Sequence, residues 1–349
     1  MSRTRSTSHN KPIRLGFVPL VDGAPIAVAR EHGIFQRHGL DVVLTRELGW
    51  TSVREKLVRG QLDAAQSIPG IPITLHRDPN LACCEIAVPM VLNLQGSAIT
   101  LSNKLARQVI GRGEGLKDFL KYQWKGDRPL ILGAPHRLSS QYSLLISWLK
   151  RIGIPYPGPV EIVMIPAPLL PRHLKAGLIE GYCVGEPWNS EAIISGSGWS
   201  PLRTGDLARY HPENVLAVSG NLIREKSSQL VALIASLVEA CEICQSRAAR
   251  SDLIALLSRR EYIGTSPAVL ENSLGTTFDS GYDQTCAAQF HIFHGRDTNR
   301  PSLDKASWAL SELRQSRAYT SDSSISLARI FREDIFAEAM ERQSNVGGQ

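Results

Sequence analysis

The sequence lacks the signals of several common protein classes. Its 349 residues contain no uninterrupted run of about 18 apolar residues, the length that a membrane-spanning helix needs. We therefore expect no membrane insertion. The six cysteines include the adjacent pair Cys83 and Cys84, which does not suit a disulfide framework. The basic N-terminus is followed by no apolar segment or cleavage site, so we expect a cytoplasmic protein without a signal peptide. If the start codon were misassigned, the protein would instead be periplasmic.

Motifs of common enzymes are also absent. The sequence has no G-x-S-x-G elbow, no P-loop, no H-E-x-x-H and no G-x-G-x-x-G after a strand. Cys241 and Cys244 are three residues apart, as are His291 and His294, but neither pair has further ligands at metal-site spacing. Two histidines at the end of a segment usually lie on the surface. We expect no catalytic residues, no metal and no cofactor.

Composition and charge indicate a soluble globular chain with room for two domains. Hydrophobic residues make up 43% of the chain, and the formal net charge is +6. This charge permits an anionic ligand. The basic residues are scattered without interleaved aromatic side chains, so we expect no direct binding of nucleic acid.

Strand and helix patterns alternate along most of the chain and predict an α/β fold with parallel sheets and helices on both faces. We predict a disordered tail over 1–12, a discontinuous domain I over 13–98 and 205–340, and a domain II over 99–204. The chain would cross twice between the domains, an arrangement that suits opening and closing on a ligand. The alternative is one large α/β domain with an insertion. Within domain I, Ser52 and Glu55 form a capping-box pair that predicts a helix over 52–59, and the pattern from residue 225 to about 340 predicts helices.

Residues 181–189, Gly-Tyr-Cys-Val-Gly-Glu-Pro-Trp-Asn, are the most informative stretch. The pattern predicts a buried strand that turns into a helix, with Pro187 in the first helical turn and Glu186 placed to accept its free N–H groups. In open α/β proteins, such corners are where small ligands bind.

Two further helix starts predict ligand contacts. Asp22 follows the first strand, and Trp50 and Thr51 stand at the start of the next long helix. Helix N-termini offer free N–H groups and partial positive charge, which a small anion can use. Trp50 could add an indole N–H and a flat wall, or it could be a core tryptophan that covers a helix start.

Several stretches, in the same order, resemble one known family. Residues 15–25, 50–57, 93–100, 181–189 and 211–214 are similar to motifs of the nitrate/bicarbonate branch of ABC-transporter solute-binding proteins. The resemblance covers roughly residues 13–220 and is loose beyond them. It implies the periplasmic-binding-protein-like type II fold: two doubly wound α/β domains, a two-crossover hinge and a ligand cleft between the domains.

The resemblance also implies a ligand set, from which this chain departs at three positions. Trp50 matches the family's tryptophan, whereas Ser97, Gln141 and Asn214 stand where a glutamine, a histidine and a lysine are expected. The lost lysine removes a positive charge that would pair with nitrate, and charge-assisted hydrogen bonds are about twice as strong as neutral ones. Arg209 or His211 could compensate, although both residue types are usually solvated. A neutral ligand would fit the three replacements equally well.

The expected function is therefore binding of a small, nitrate- or nitrite-like anion. The family includes members without a signal peptide that sense nitrate or nitrite in the cytoplasm and hold an RNA-binding antiterminator inactive. We expect this chain to be such a sensor, with an antiterminator regulator as its protein partner. The alternative is the substrate-binding component of a nitrate/bicarbonate-type ABC importer, with a permease as partner. An enzyme is the less favoured third class.

Overall fold

The computed structural model describes residues 11–76, 85–109, 115–122, 128–281, 285–287, 290–295, 297–320 and 326–346. Residues 1–10 of the predicted tail and the Cys83–Cys84 pair lie outside these ranges. Alternating strands and helices build two main sheets, and a two-stranded ribbon lies in the C-terminal third.

The first sheet has six strands in the order β13-β4-β10-β3-β1-β2. Its strands are β1 (Ile13–Phe17), β2 (Val42–Arg46), β3 (Ala64–Ser67), β4 (Ile86–Gln95), β10 (Pro212–Ser219) and β13 (His291–Ile292). The second sheet has five strands in the order β7-β6-β8-β5-β9. Its strands are β5 (Ser97–Ser102), β6 (Leu130–Ala134), β7 (Val160–Met164), β8 (Gly181–Gly185) and β9 (Gly198–Arg203).

Both sheets are mixed, which corrects the expectation of parallel sheets. β1 pairs in parallel with β2 and β3, but β10 runs antiparallel to both β3 and β4. In the second sheet, β5 runs antiparallel to β8 and β9. The antiparallel strands include those that carry the chain from one sheet to the other. A strand that does not belong to a βαβ unit is not constrained to run parallel to the strands of that unit.

Helices cover the sheets and form most of the C-terminal third. In the first two thirds they are α1 (Ala24–Glu31), α2 (Ile34–Arg37), α3 (Trp50–Val58), α4 (Gly70–Leu75), α5 (Asn103–Val109), α6 (Leu116–Tyr122), α7 (Ser140–Arg151), α8 (Leu170–Lys175), α9 (Trp188–Ile194), α10 (Thr204–Leu207) and α11 (Gly220–Glu225). The last third holds α12 (Ser227–Gln245), α13 (Arg250–Leu257), α14 (Pro267–Leu274), α15 (Leu303–Gln315), α16 (Leu327–Ile330) and α17 (Glu333–Val346), with β11 (Thr277–Asp279) and β12 (Thr285–Ala287) after α14.

Two local predictions were wrong. The helix α3 begins at Trp50, so Ser52 lies inside its first turn and donates a hydrogen bond to the Gly49 carbonyl (2.9 Å) instead of capping the helix. The C-terminal third was expected to be helical, yet it supplies β13, which pairs with β4 at the edge of the first sheet. A two-residue strand carries too little periodicity to be predicted from sequence.

The apolar composition of α12 is explained by its place in the hydrophobic core. By length and composition this helix could cross a membrane, but most of it is buried inside the protein. Leu233, Ile234 and Leu237 are fully buried in the same core cluster as β1 and α1. The helix is therefore the central core helix of the C-terminal third.

The chain crosses twice between the two main sheets. The first crossover is Gly96 between β4 and β5, and the second runs from Arg203 through α10 to Pro212. Gly96 has φ +114°, and a Cβ there would lie 2.6 Å from the His291 ring and 2.9 Å from an Asp22 oxygen. A side chain would fit neither this backbone nor this space. The limits given above for the two domains stay a prediction.

Candidate functional site

Asp22 occupies the centre of a buried polar cluster beside the first crossover. It lies in a 3₁₀ turn, Val21–Gly23, between β1 and α1, and is fully buried. Its Oδ1 accepts a hydrogen bond from Asn93 Nδ2 (2.5 Å) and lies 3.8 Å from His291 Nε2. A Cβ on Gly185 would lie 3.0 Å from Asp22 Oδ2 and 3.7 Å from Ser97 Oγ. The bare glycine at the end of β8 therefore lets these groups approach one another.

Gln141 brings helix α7, which packs on the second sheet, into the same cluster. Its Nε2 donates to Ser97 Oγ (3.1 Å) and also to Glu213 Oε1. Ser140 Oγ donates to the same carboxylate (2.7 Å), whose other oxygen lies 2.9 Å from His211 Nε2. The start of α7 is thus linked to β10 of the first sheet through buried hydrogen bonds.

The side chain of Asn214 is fixed by a hydrogen bond to a residue of the first sheet. Gln66 Nε2 donates to Asn214 Oδ1 (3.2 Å), and Gln66 Oε1 accepts from the backbone N–H of Val18 (3.0 Å). This chain of bonds fixes the Asn214 amide and leaves its Nδ2 group to face other partners. We call the polar junction the set of Asp22, Gln66, Asn93, Ser97, Gln141, Glu213, Asn214 and His291.

The neighbouring residues Trp50 and Thr51 differ in exposure in the structure. Trp50 is 2% exposed at the start of α3, on the edge of the first sheet where β1 also ends, whereas Thr51 is exposed. The structure thus brings Asp22, Ser97, Gln141 and Asn214 together, places Trp50 at the same sheet edge, and leaves Thr51 outside the buried set.

Glu186 joins the strand–helix corner at residues 181–189 to other parts of the protein through hydrogen bonds. Its Oε2 accepts from Ser273 Oγ (2.6 Å) and from the backbone N–H of Ser190 (3.3 Å). Its backbone accepts from Val21 N (2.8 Å) and donates to Gly96 O (2.9 Å). The predicted role of Glu186 in accepting N–H groups of the following helix is confirmed, although Pro187 precedes that helix instead of lying in its first turn.

Several buried polar atoms of this region have no hydrogen-bond partner among the described residues. In the polar junction they are Asn214 Nδ2, Asp22 Oδ2, Asn93 Oδ1, Gln141 Oε1 and both ring nitrogens of His291, and at the start of α3 there is Trp50 Nε1. Each such atom costs about 1–3 kcal/mol when it stays unsatisfied, so a cluster of them at one place indicates a binding function. The set contains donors and acceptors and suits a small polar ligand.

The electrostatics of the junction differ from those of a simple cationic anion site. In the part of the chain that the structure describes, no lysine or arginine donates a hydrogen bond to the junction. Burial, reinforced by the charge of Glu213, raises the pKa of Asp22 well above its usual range. Burial also lowers the pKa of His291 to about 3, with the positive charge of Arg250 adding to the effect. At neutral pH, His291 is uncharged, and a protonated Asp22 would act as a hydrogen-bond donor.

Two histidines were misjudged from the sequence. His291 and His211 were expected at the surface, but they are 8% and 2% exposed and lie in or beside the junction. Arg209, by contrast, is exposed. Asn93, Glu213 and His211 lie in stretches that carried the family resemblance, which could have singled them out. No sequence signal pointed to His291, because its partners are set by the pairing of β13 with β4.

Gly70 lies where an element beside the first sheet meets one beside the second, so replacing it should affect how closely the two sheets approach each other. Gly70 begins α4 beside the first sheet, and a Cβ there would collide with the carbonyl oxygen of Leu138, which precedes α7. We expect Gly70→Ala to hold these elements apart and weaken ligand binding about tenfold, equivalent to about 1.4 kcal/mol of closure energy. Isothermal titration with nitrate and nitrite, the anions expected from the sequence, would measure it. Gly115→Ala, with no described atom within 4 Å of its Cβ, is the control, and equal affinities in the two variants would contradict the prediction.

Two mixed sheets joined by two crossovers, with a polar site between them, define the periplasmic-binding-protein fold, and the solved structures agree. The periplasmic nitrate-binding protein NrtA from Synechocystis PCC 6803 superposes with a TM-score of 0.86 at 22% identity, covering 96% of this chain and 89% of that one. The predicted fold class is confirmed. The chain belongs to the NMT1-like family, whose model matches residues 6–258.

Relatives with known names match over most of this chain. The nitrate import ATP-binding protein NrtC of Synechocystis is 34% identical over 303 residues, covering 86% of this chain and 45% of that protein. The nitrate/nitrite binding protein NrtA of Nostoc is 27% identical, covering 86% of this chain and 69% of that protein. This chain thus spans less than half the length of the ATP-binding relative.

Proposed function

We propose that the protein binds a small oxyanion of the nitrate, nitrite or bicarbonate type at the polar junction and is not an enzyme. We further propose that it acts in the cytoplasm as a ligand sensor that controls an antiterminator-type protein partner. The observation that carries the binding proposal is the group of buried, unpartnered donors and acceptors where the two sheets meet.

The chemistry of these atoms favours an oxyanion that also carries a proton. Trp50 Nε1, Asn214 Nδ2 and a protonated Asp22 can donate to the oxygens of any of the three anions. Gln141 Oε1 and Asn93 Oδ1 can only accept, and bicarbonate has an O–H group to offer them, whereas nitrate has none. We therefore expect bicarbonate to bind more tightly than nitrate.

The names of the relatives support this ligand class. They include nitrate import, nitrate/nitrite binding and bicarbonate-binding proteins. A sensor would work by population shift, with the partner preferring either the free or the ligand-bound form.

The second candidate is the substrate-binding component of a nitrate/bicarbonate-type ABC importer. The similarity in fold to a periplasmic nitrate-binding protein favours it. A sensor and an importer subunit share the binding site and differ in what the bound form contacts, so the distinction requires an experiment in cells.

Deleting the gene from its native cell separates the two candidates. For a sensor, we expect an antitermination-dependent reporter to become active without added anion, while uptake of labelled nitrate and bicarbonate stays unchanged. Reintroducing the intact chain should restore control, and the Trp50→Phe variant should leave the reporter unresponsive to the anion. Loss of labelled uptake with an unaltered reporter would contradict the sensor and support the importer.

A further inference from the structure

A cavity lies against the two crossovers. It has a volume of about 550 Å³ and is lined by Ser97, Arg203, Arg209, Arg247, Arg250 and His291, among other residues. We call it the hinge pocket. Its size is within the range of sites that hold metabolite-sized ligands, about 300–1,000 Å³.

Positive charge dominates the hinge pocket. Arg203 and Arg209 come from the second crossover, and Arg247 and Arg250 come from the end of α12 and the start of α13. Asp206 lines the same pocket and is ion-paired with Arg203 (3.1 Å). Among the described residues, the side chains of the other three arginines have no ion-pair partner. Three cationic groups from two segments therefore face one cavity without compensation.

Of two groups in the pocket, the half-buried one has no ion-pair partner and the buried one has no hydrogen-bond partner among the described residues. Arg250 is half-buried, and burial lowers the pKa of its guanidinium group. His291 is 8% exposed, and neither ring nitrogen has a hydrogen-bond partner in the described ranges. Desolvated cations and orphaned ring nitrogens are costly unless a bound group satisfies them. The sign that belongs to this pocket alone is the half-buried Arg250, and His291 is shared with the polar junction.

The hinge pocket is separate from the polar junction. Ser97 and His291 belong to both, whereas Asp22, Gln141 and Asn214 do not line the pocket. The junction combines carboxylates and amides without arginine, and the pocket combines arginines with a single carboxylate. The two sites therefore suit different ligands.

We propose that the hinge pocket binds a multivalent anion, either a phosphate ester or a polycarboxylate, as a second ligand of this protein. Arginine forks bind phosphate and carboxylate groups in a bidentate manner, and several forks around one cavity match an anion with several charged groups. A nitrate-sized ion would leave most of a 550 Å³ cavity unfilled. An anion bound by Arg209 and Arg250 would join the second crossover to α13.

Titration calorimetry of the full chain at low ionic strength tests the proposal, with inorganic pyrophosphate and citrate as probes. Arg209 and Arg247 are exposed, so the double variant Arg209→Gln/Arg247→Gln should keep the fold. We expect one-to-one binding of at least one probe and a loss of affinity of about tenfold or more in the double variant. Arg329→Gln, at an exposed arginine of α16, should bind as the unchanged protein does. Binding of pyrophosphate alone would assign a phosphoryl ligand, and binding of citrate alone a carboxylate ligand.

The Trp50→Phe variant distinguishes this proposal from that of the polar junction. It should bind pyrophosphate or citrate with unchanged affinity, whether or not the small oxyanions bind to the junction. Three results would overturn the hinge-pocket proposal: no binding of either probe at millimolar concentration, equal weakening by Arg329→Gln, or loss of binding in Trp50→Phe with retention in the double variant.

Discussion

Replacing Trp50 by phenylalanine is expected to weaken the binding of bicarbonate, nitrite and nitrate about 10- to 100-fold. The indole Nε1 is a buried donor without a partner among the described residues. A hydrogen bond to a charged group contributes about 1.5–3 kcal/mol. Phenylalanine keeps most of the apolar surface at this 2% exposed position, so the change removes mainly the donor. Isothermal titration with the three anions would measure the effect.

The matched control is Trp148→Phe. Trp148 is buried in the core of the second sheet at 7% exposure and belongs neither to the polar junction nor to the start of α3. The control should lose some stability and keep its affinity for the anions. If both variants bind the anions as tightly as the unchanged protein, Trp50 is a core residue that covers a helix start, and the oxyanion site must lie elsewhere.

Replacing Asp22 by asparagine is expected to stabilise the protein, and the gain should grow as the pH rises. The folded protein raises the pKa of Asp22, chiefly through burial and then through the charge of Glu213, with Glu186 adding to it. Above the ordinary pKa of about 3.9, the unfolded chain releases this proton while the folded protein retains it. The unchanged protein therefore loses up to about 1.4 kcal/mol of stability per pH unit between the two pKa values, and asparagine removes this loss.

Asparagine also fits the local hydrogen bonds. Its Oδ1 can accept from Asn93 Nδ2, and its Nδ2 can donate where a protonated Asp22 would. Nitrate binding should therefore persist and lose its pH dependence, whereas in the unchanged protein it should weaken as Asp22 ionises. Thermal unfolding and titration with nitrate, which stays ionised throughout, at pH 5 and pH 8 test both effects. The exposed Asp41→Asn is the control, and a stability difference that stays constant or falls with pH would contradict the prediction.

The sequence predicted the parts of the site that follow a strand or open a helix. Asp22 after β1, Trp50 at the start of α3 and Glu186 at the end of β8 could be placed because apolar runs and helix-start residues mark such positions locally. Thr51, beside Trp50, shows the limit of this reasoning. Its place at a helix start says nothing about which way its side chain faces, and it lies exposed.

The sequence by itself determined the alternation of strands and helices, the family motifs over roughly 13–220, and the positions of four of the eight junction residues along the chain. Only the tertiary structure decided which polar groups meet. The pairing of β13 with β4 buries His291 beside Asp22, and a hydrogen bond between the start of α7 and β10 joins Gln141 to Glu213. These partners are up to 269 residues apart in the sequence (291 minus 22). Contacts at such separations depend on how whole elements pack, and local patterns carry no record of that packing.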